Sequence, residues 1–388
     1  MTERARVVVT GLGVISPFGG TVDELWSGLL AGRSAIRQVP RFVTAGLPVT
    51  VGGGVDLLPW DLPARDVEMS RRPIDDALAQ ARISPERAGF LWSTGLDTFG
   101  PGRDGPIERS AGACFSVLAR RFAHPRRMIA AACASATHAI GEAFRLVRSG
   151  RVAICVAGGA TAMLTPFYIF GFAWLQALAL DQPGEDPASV CRPFDRRRRG
   201  VALGEGGAAL VLETLDGARA RGAEPLAEVR GFGVSQDAYD LNRPPPDGLG
   251  AELCLRRTLD DARCAAADID VVNAHGTGTR AGDPAEAVAL RRVFSDTWRR
   301  TPVSSIKGAV GHAMAAAGAV EAAVAIQTCR TGIVPPTCNL VEPDEDCVLD
   351  HVFGEPRSTR TGAVLSSSFG MGGQNAALIV SPPPEGVS

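Results

Sequence analysis

The chain has 388 residues, of which 45% are hydrophobic and 21% charged, and a net charge of −2. That length holds material for two domains or one large one, and the near balance of charge gives no electrostatic footprint for nucleic acid. Nine cysteines, an odd number without a CxxC pair, argue for reduced thiols in a cytoplasmic protein, against a disulfide framework or a structural zinc site.

The first residues, Met1 to Val9, contain no long apolar run and so no secretory signal. Val7 to Ser16 reads as a buried strand entering a glycine turn. Thr21 to Leu30 is an amphipathic helix with Thr21 as N-cap and Glu24 at the capping-box spacing. Residues 37–65 read as loop with short strands, Pro73 to Arg82 as a short helix, Gly89 to Gly95 as a strand, and 97–110 as a Gly- and Pro-rich loop.

Ala130 to Gly141 is a run of small residues that opens a helix at or just after Cys133. A thiol at a helix N-terminus feels the positive end of the peptide dipoles, which favours thiolate. The plainer alternative is a small buried cysteine, one of nine. Val152 to Leu180 carries no charged side chain, but Gly158, Gly159 and Pro166 interrupt it and no basic flank accompanies it. It reads as a buried strand, an apolar loop and a helix, not a membrane span. Arg196 to Arg199 are four consecutive arginines, the usual mark of a solvated charged turn.

Gly204 to Glu213 is a glycine turn into a strand, 214–225 a helix, and Leu226 to Gly233 a further strand. The remainder repeats this style. Gly370 to Val380 echoes the turn and strand at 204–212, and a helix over Gly311 to Thr328 occupies a place like that of the Cys133 helix. An internal duplication into halves 1–225 and 226–388 follows, the first carrying Cys133.

Three features of the second half bear on Cys133. His275 ends the strand that starts at Ile269, at the edge where α/β sites collect, though a lone histidine there is often structural. Glu286 lies in the first turns of the helix opening at Gly282, where a carboxylate also suits the dipole. Lysine and arginine together number 40, yet Lys307 is the single lysine. Guanidinium serves a charged surface but cannot replace a compact ammonium of tunable pKa, so Lys307 is a candidate for chemistry. His312, five residues later, starts a helix of tiny residues. No ligand spacing supports a metal among these groups, and Gly11-Leu-Gly-Val lacks the third glycine of a dinucleotide fingerprint.

Ala-Cys133-Ala-Ser-Ala, Asn-Ala-His275-Gly-Thr-Gly-Thr, and Lys307 with His312 resemble the Cys-His-His ketosynthases. These are the β-ketoacyl-acyl carrier protein synthases of type II fatty acid and polyketide systems. The resemblance runs from the Val7 strand to the Phe369–Asn375 loop. It implies an α/β, thiolase-like fold of duplicated βαβ-rich halves in a five-layer αβαβα arrangement. It implies an acyltransferase that joins a Cys133-bound acyl group to malonyl-acyl carrier protein by decarboxylative Claisen condensation, extending a polyketide, polyene or fatty acyl chain. Specialised metabolism is the expected setting.

By the same resemblance, Cys133 is the nucleophile and His275 and His312 hold the enolate oxygen. Lys307 hydrogen-bonds His312, with Glu286 in the network behind it. The backbone N–H groups of Cys133 and Met371 form the oxyanion hole, Thr277 and Thr279 bind phosphopantetheine, and Phe172, Phe369 and Met371 line or gate the acyl pocket. No cofactor is held permanently and no metal, since substrates arrive on the phosphopantetheine of acyl carrier protein. The expected partners are that carrier protein and a second subunit, in a homodimer or with a chain-length-factor-like chain, without nucleic acid or membrane. Arg196 to Arg199, or Arg126 and Arg127, are candidates to meet an acidic carrier.

Three departures from the family are visible. Met371 stands where an aromatic is common, Gln176 where a basic residue is common, and the region from about Leu57 to Ala130 is shorter. The alternative reading is a chain-length-factor-like partner subunit, which usually lacks the nucleophile that Cys133 supplies. A thiolase would carry a second cysteine in the Gly370–Gln374 loop, where there is none.

Overall fold

A computed structural model of the protein describes residues 4–40, 46–62, 64–94, 99–102, 105–109 and 113–384. Strand β1 (Val7–Ile15) is buried along its whole length, so apolar layers must cover both its faces. Ten more strands extend from it: β2 (Gly89–Thr94), β3 (Arg126–Met128), β4 (Ile154–Thr161), β5 (Gly206–Thr214), β6 (Ala227–Gln236), β7 (Val271–Asn273), β8 (Pro302–Ser304), β9 (Asp350–His351), β10 (Val364–Phe369) and β11 (Gln374–Ser381). Their order is β9-β8-β7-β10-β11-β6-β1-β5-β4-β2-β3.

Counted outward from the central β1–β6 pair, each half runs first, last, next-to-last, second, third strand, and the second half adds β9 at its outer edge. The repetition extends to detail. A register shift follows Val9 where β1 pairs β5, and another follows Val229 where β6 pairs β11. Beyond each shift lie two alternate glycines on which a helix rests. Helix α1 (Arg65–Ala81) brings backbone oxygens to 2.1 Å from where a Cβ on Gly11 or Gly13 would sit. Helix α3 (Leu249–Ala262) approaches Gly231 and Gly233 in the same way, with Thr258 backbone atoms at 2.7 and 2.4 Å. No side chain fits at these four positions.

Helices α2 (Ser135–Arg148) and α5 (Ala317–Thr331) form the middle layer. Ala136, Ile140, Ala143 and Phe144 of the first and Ala319, Val320, Ala323 and Val324 of the second share one core with β1, β5, β6 and β11. Helix α1 covers the outer face of the first half, and α3 with α4 (Gly282–Phe294) that of the second. The result is the five-layer αβαβα arrangement of duplicated halves. Alanine and glycine predominate in α5 because a helix between two sheets has no solvated face.

The structure corrects several boundaries. Helix α1 begins at Arg65 and passes through Pro73, because its apolar stripe Met69, Ile74, Ala77, Leu78 and Ala81 spans the proline and outweighs one lost hydrogen bond. Residues 99–102 and 105–109 pair as a hairpin where a loop is expected. His312 precedes its helix: Met314–Ala316 form a 3-10 turn and α5 starts at Ala317. Among the described residues no helix is long and apolar enough to cross a membrane, and the nine cysteines are free thiols.

Candidate active site

Cys133 lies two residues before the first helical residue of α2. The approach is a tight elbow in which Ala132 adopts φ 48, a left-handed conformation unusual for alanine. Ser135 braces it, its hydroxyl accepting from the Ala131 N–H at 2.7 Å and donating to the Ala132 carbonyl at 2.6 Å. The elbow turns the Cys133 side chain into an apolar cluster with Met163, Phe172, Met314 and Met371. Its thiol donates to the Met314 sulfur at 3.9 Å.

Burial pushes the Cys133 thiol up to about 11, although the backbone N–H groups of Met371 and of Cys133 itself point at the sulfur and oppose the rise. The thiol is thus pushed away from thiolate, against the direction expected from a helix N-terminus, because desolvation outweighs the two backbone N–H groups. The two N–H groups that face the sulfur are those expected for an oxyanion hole.

His275 follows β7 by two residues, and its placement depends on a carboxylate. Glu286 of α4 accepts the His275 N–H at 2.8 Å and the Gly276 N–H at 2.7 Å, and Ser367 donates to it at 3.2 Å. His312 is held by its backbone, donating to the Ala202 carbonyl at 2.8 Å and accepting from the Gly204 N–H at 2.9 Å. The two imidazoles meet edge to face with ring centres 5.3 Å apart. Burial first, then the Lys307 ammonium, holds both rings well below the usual histidine range, so both are neutral at physiological pH. Among the described residues, both ring nitrogens of His312 and Nδ1 of His275 have no hydrogen-bond partner.

Lys307 is fully buried, but its bonds differ from those expected. Its ammonium donates to the His275 backbone carbonyl and pairs with Glu321, and no hydrogen bond joins it to His312. The ammonium's donors are taken up by the His275 carbonyl and the Glu321 carboxylate, so it acts on the His312 ring through its charge alone. Glu286, with its carboxyl raised to about 7 chiefly by burial, anchors the His275 turn and makes no bond to Lys307.

Glu321 is therefore the lysine's partner, and sequence reasoning missed it. The signal was present: Glu321 is the one acid in α5, a helix otherwise apolar to Gln327, and a buried carboxylate requires a cation. Asp283 was also missed. Its buried carboxylate accepts from the N–H groups of Phe194, Thr277 and Gly278 and so shapes the loop after His275. Within that loop the Thr277 and Thr279 hydroxyls stand 3.0 Å apart.

One cleft of about 450 Å³ gathers Cys133, His275, His312, Thr277, Thr279, Phe369 and Met371. Phe172 stands behind this wall in the apolar cluster. Gly372 and Gly373, at φ 83 and 81, fold the loop that carries Met371. The arginine run is consumed internally, since Arg196 pairs with Glu342, Arg197 with Asp195, Arg198 with Asp344 and Arg199 with Glu185. Arg126 donates to the Phe122 carbonyl, and Arg127 is exposed.

Residues 226–341 match the model of the beta-ketoacyl synthase C-terminal domain, and residues 4–68 and 111–218 that of the N-terminal domain. The chain is 36% identical over 412 residues to 3-oxoacyl-acyl-carrier-protein synthase 2 of Coxiella burnetii, covering 98% of this chain and 99% of that protein. It is 34% identical over 425 residues to the tetracenomycin polyketide synthase ketoacyl synthase alpha subunit of Streptomyces glaucescens, covering 99% of each. Among solved structures, a type II polyketide synthase acyl-carrier protein in complex with its ketosynthase superposes with a TM-score of 0.90 at 27% identity, covering 98% of this chain and 100% of that one. The ishigamide ketosynthase/chain length factor gives 0.86 at 32%, with coverage of 98% and 100%. The chain belongs to the β-ketoacyl synthase family of acyltransferases and has its thiolase-like fold.

Proposed function

We propose that this protein is a decarboxylating ketosynthase in which Cys133 carries the growing acyl chain. The observation that carries the reading is one cleft in which a cysteine sulfur faces two backbone N–H groups and two neutral imidazoles stand beside it with free ring nitrogens. The Cys133 sulfur attacks the carbonyl of an acyl thioester, its proton leaves with the carrier thiol, and the acyl group stays on the protein. A malonyl thioester then loses CO₂, and its enolate oxygen accepts N–H bonds from His275 and His312. Neutral rings suit this step, because an imidazolium would protonate the carbanion. The carbanion attacks the Cys133 thioester carbonyl, whose oxygen becomes anionic against the N–H groups of Cys133 and Met371. Collapse releases the β-ketoacyl product and returns the thiolate.

Thr277 and Thr279 contact the phosphopantetheine arm of an acyl carrier protein, the substrate source. Phe172, Phe369 and Met371 bound the acyl pocket, and the thioethers of Met314 and Met371 give it adaptable walls suited to polyketide or polyene chains of specialised metabolism. The complete set of Cys133, His275, His312 and Lys307 makes this the catalytic member of a dimer, whether its companion is a second copy or a chain-length-factor-like subunit. The nine free thiols suit the reducing cytoplasm. The test is condensation of acyl- and malonyl-carrier protein followed by product mass spectrometry. His312→Ala is expected to lower the condensation rate by about two to three orders of magnitude, as loss of one oxyanion donor does, while Cys133 acylation persists. Full condensation by that variant would refute the assignment.

A further inference from the structure

Two arginines at the cleft mouth are left over after this account. Arg243 and Arg280 both line the cleft and both are exposed. Among the described residues neither guanidinium forms an ion pair or donates a side-chain hydrogen bond. The other guanidinium of the mouth, Arg199, is committed to Glu185. The acid lining this end of the cleft, Asp237, accepts from the Asn375 amide at 2.6 Å and pairs with neither arginine. Both guanidiniums therefore face solvent at the entrance without an ion-pair partner among the described residues.

Their placement is built into the fold. The turn carrying Arg243 is fixed because Asp240 accepts the Asn242 and Arg243 N–H groups at 2.8 and 3.0 Å. Its far end rests on α4, where a Cβ on Gly248 would come within 2.3 Å of the Ala285 carbonyl. Arg280 directly follows Thr279, and the Arg198 side chain holds the Thr279 carbonyl at 3.1 Å. Solvent exposure rises along the cleft, from buried Cys133, His275 and Thr277 through half-buried Thr279 to Arg280 and Arg243.

We infer that Arg243 and Arg280 bind the phosphate of the phosphopantetheine arm whose thioester end lies at Cys133. The inference rests on the ketosynthase reading and adds the residues that fix where the arm stops entering. Guanidinium is the side chain whose forked donors match phosphate oxygens. An anionic group at the entrance and a neutral chain beyond it fit the order of residues in the cleft, charged outside and hydroxyl or apolar within.

The experiment measures Cys133 acylation from three donors carrying one acyl group: acyl-pantetheine, acyl-phosphopantetheine and acyl-coenzyme A. The wild type is expected to use the two phosphorylated donors with a kcat/KM about tenfold above that of acyl-pantetheine, the scale of two charge-assisted contacts in partial solvent. Arg243→Gln with Arg280→Gln should bring that ratio close to one through KM, and Arg243→Lys with Arg280→Lys should largely retain it. An unchanged ratio in the glutamine variant would overturn the inference, as would a wild-type preference for acyl-coenzyme A alone, which would assign the arginines to its other phosphates. Absence of acylation from every donor, carrier protein included, would instead overturn the ketosynthase reading and this inference with it.

Discussion

Glu321→Gln tests the internal logic of the site most severely. Glu321 and Lys307 are each 1% exposed and pair with one another. Removing one partner leaves the other buried without compensation, at a cost of about 3–5 kcal/mol. With an unfolding entropy of about 2.1 cal/mol/K per residue, 388 residues give about 0.8 kcal/mol/K. The expected loss is therefore about 4–6 °C in Tm by calorimetry. Lys307→Met should cost a similar amount, and the double variant Lys307→Met with Glu321→Leu less than the sum, because neither charge is then stranded. Lys307→Met has a second readout. The ammonium depresses both imidazoles, so its loss raises their pKa and the acid limb of the condensation pH profile moves to higher pH. Additive losses in the cycle would refute the coupling of the pair, and an unmoved acid limb would refute the ammonium's share, added to that of burial, in keeping the histidines neutral.

Other consequences follow from the same environment. With the Cys133 thiol pushed up to about 11, peptide-resolved alkylation by iodoacetamide should rise about tenfold per pH unit from pH 6 to 9; a plateau near pH 7 would mean a stabilised thiolate. Glu286, at about 7 in the fold against an ordinary carboxylate value of 4.5, binds more protons folded than unfolded between those values. Its contribution to stability is therefore present in acid and is lost as pH rises from about 4.5 to 7, and Glu286→Gln should remove that slope from the urea midpoint measured against pH. Gly13→Ala places a Cβ 2.1 Å from the Pro73 carbonyl oxygen, and overpacking against backbone should cost at least about 1–3 kcal/mol, seen as a lower Tm; an unchanged Tm would contradict the strand–helix approach.

Much of the site was legible before the fold was known, for physical reasons. A single lysine among the 40 Lys and Arg residues stands out, and the structure buries it against the His275 carbonyl, while His275 at a strand end and Cys133 before a run of small residues are readable from local pattern. What failed was long-range. Lys307 meets Glu321 fourteen residues on, not the nearer His312, because the 3-10 turn and the first turn of α5 bring that carboxylate back to the ammonium. The thiol's titration was misread because the dipole is local whereas desolvation depends on Met163, Phe172, Met314 and Met371, which arrive from distant segments. Helix α1 outran its expected start because its stripe crosses Pro73, while the duplication was visible only as similar endings and became firm as matching glycine pairs and register shifts.

The central claim, that Cys133 takes up the acyl chain, is tested most directly by intact-protein mass spectrometry after incubation with a panel of acyl-carrier-protein thioesters. The account predicts a mass increment of one acyl group on the wild type, absent from Cys133→Ala, its size naming the preferred chain. An equal increment on Cys133→Ala, or none from any donor on the wild type, would contradict it.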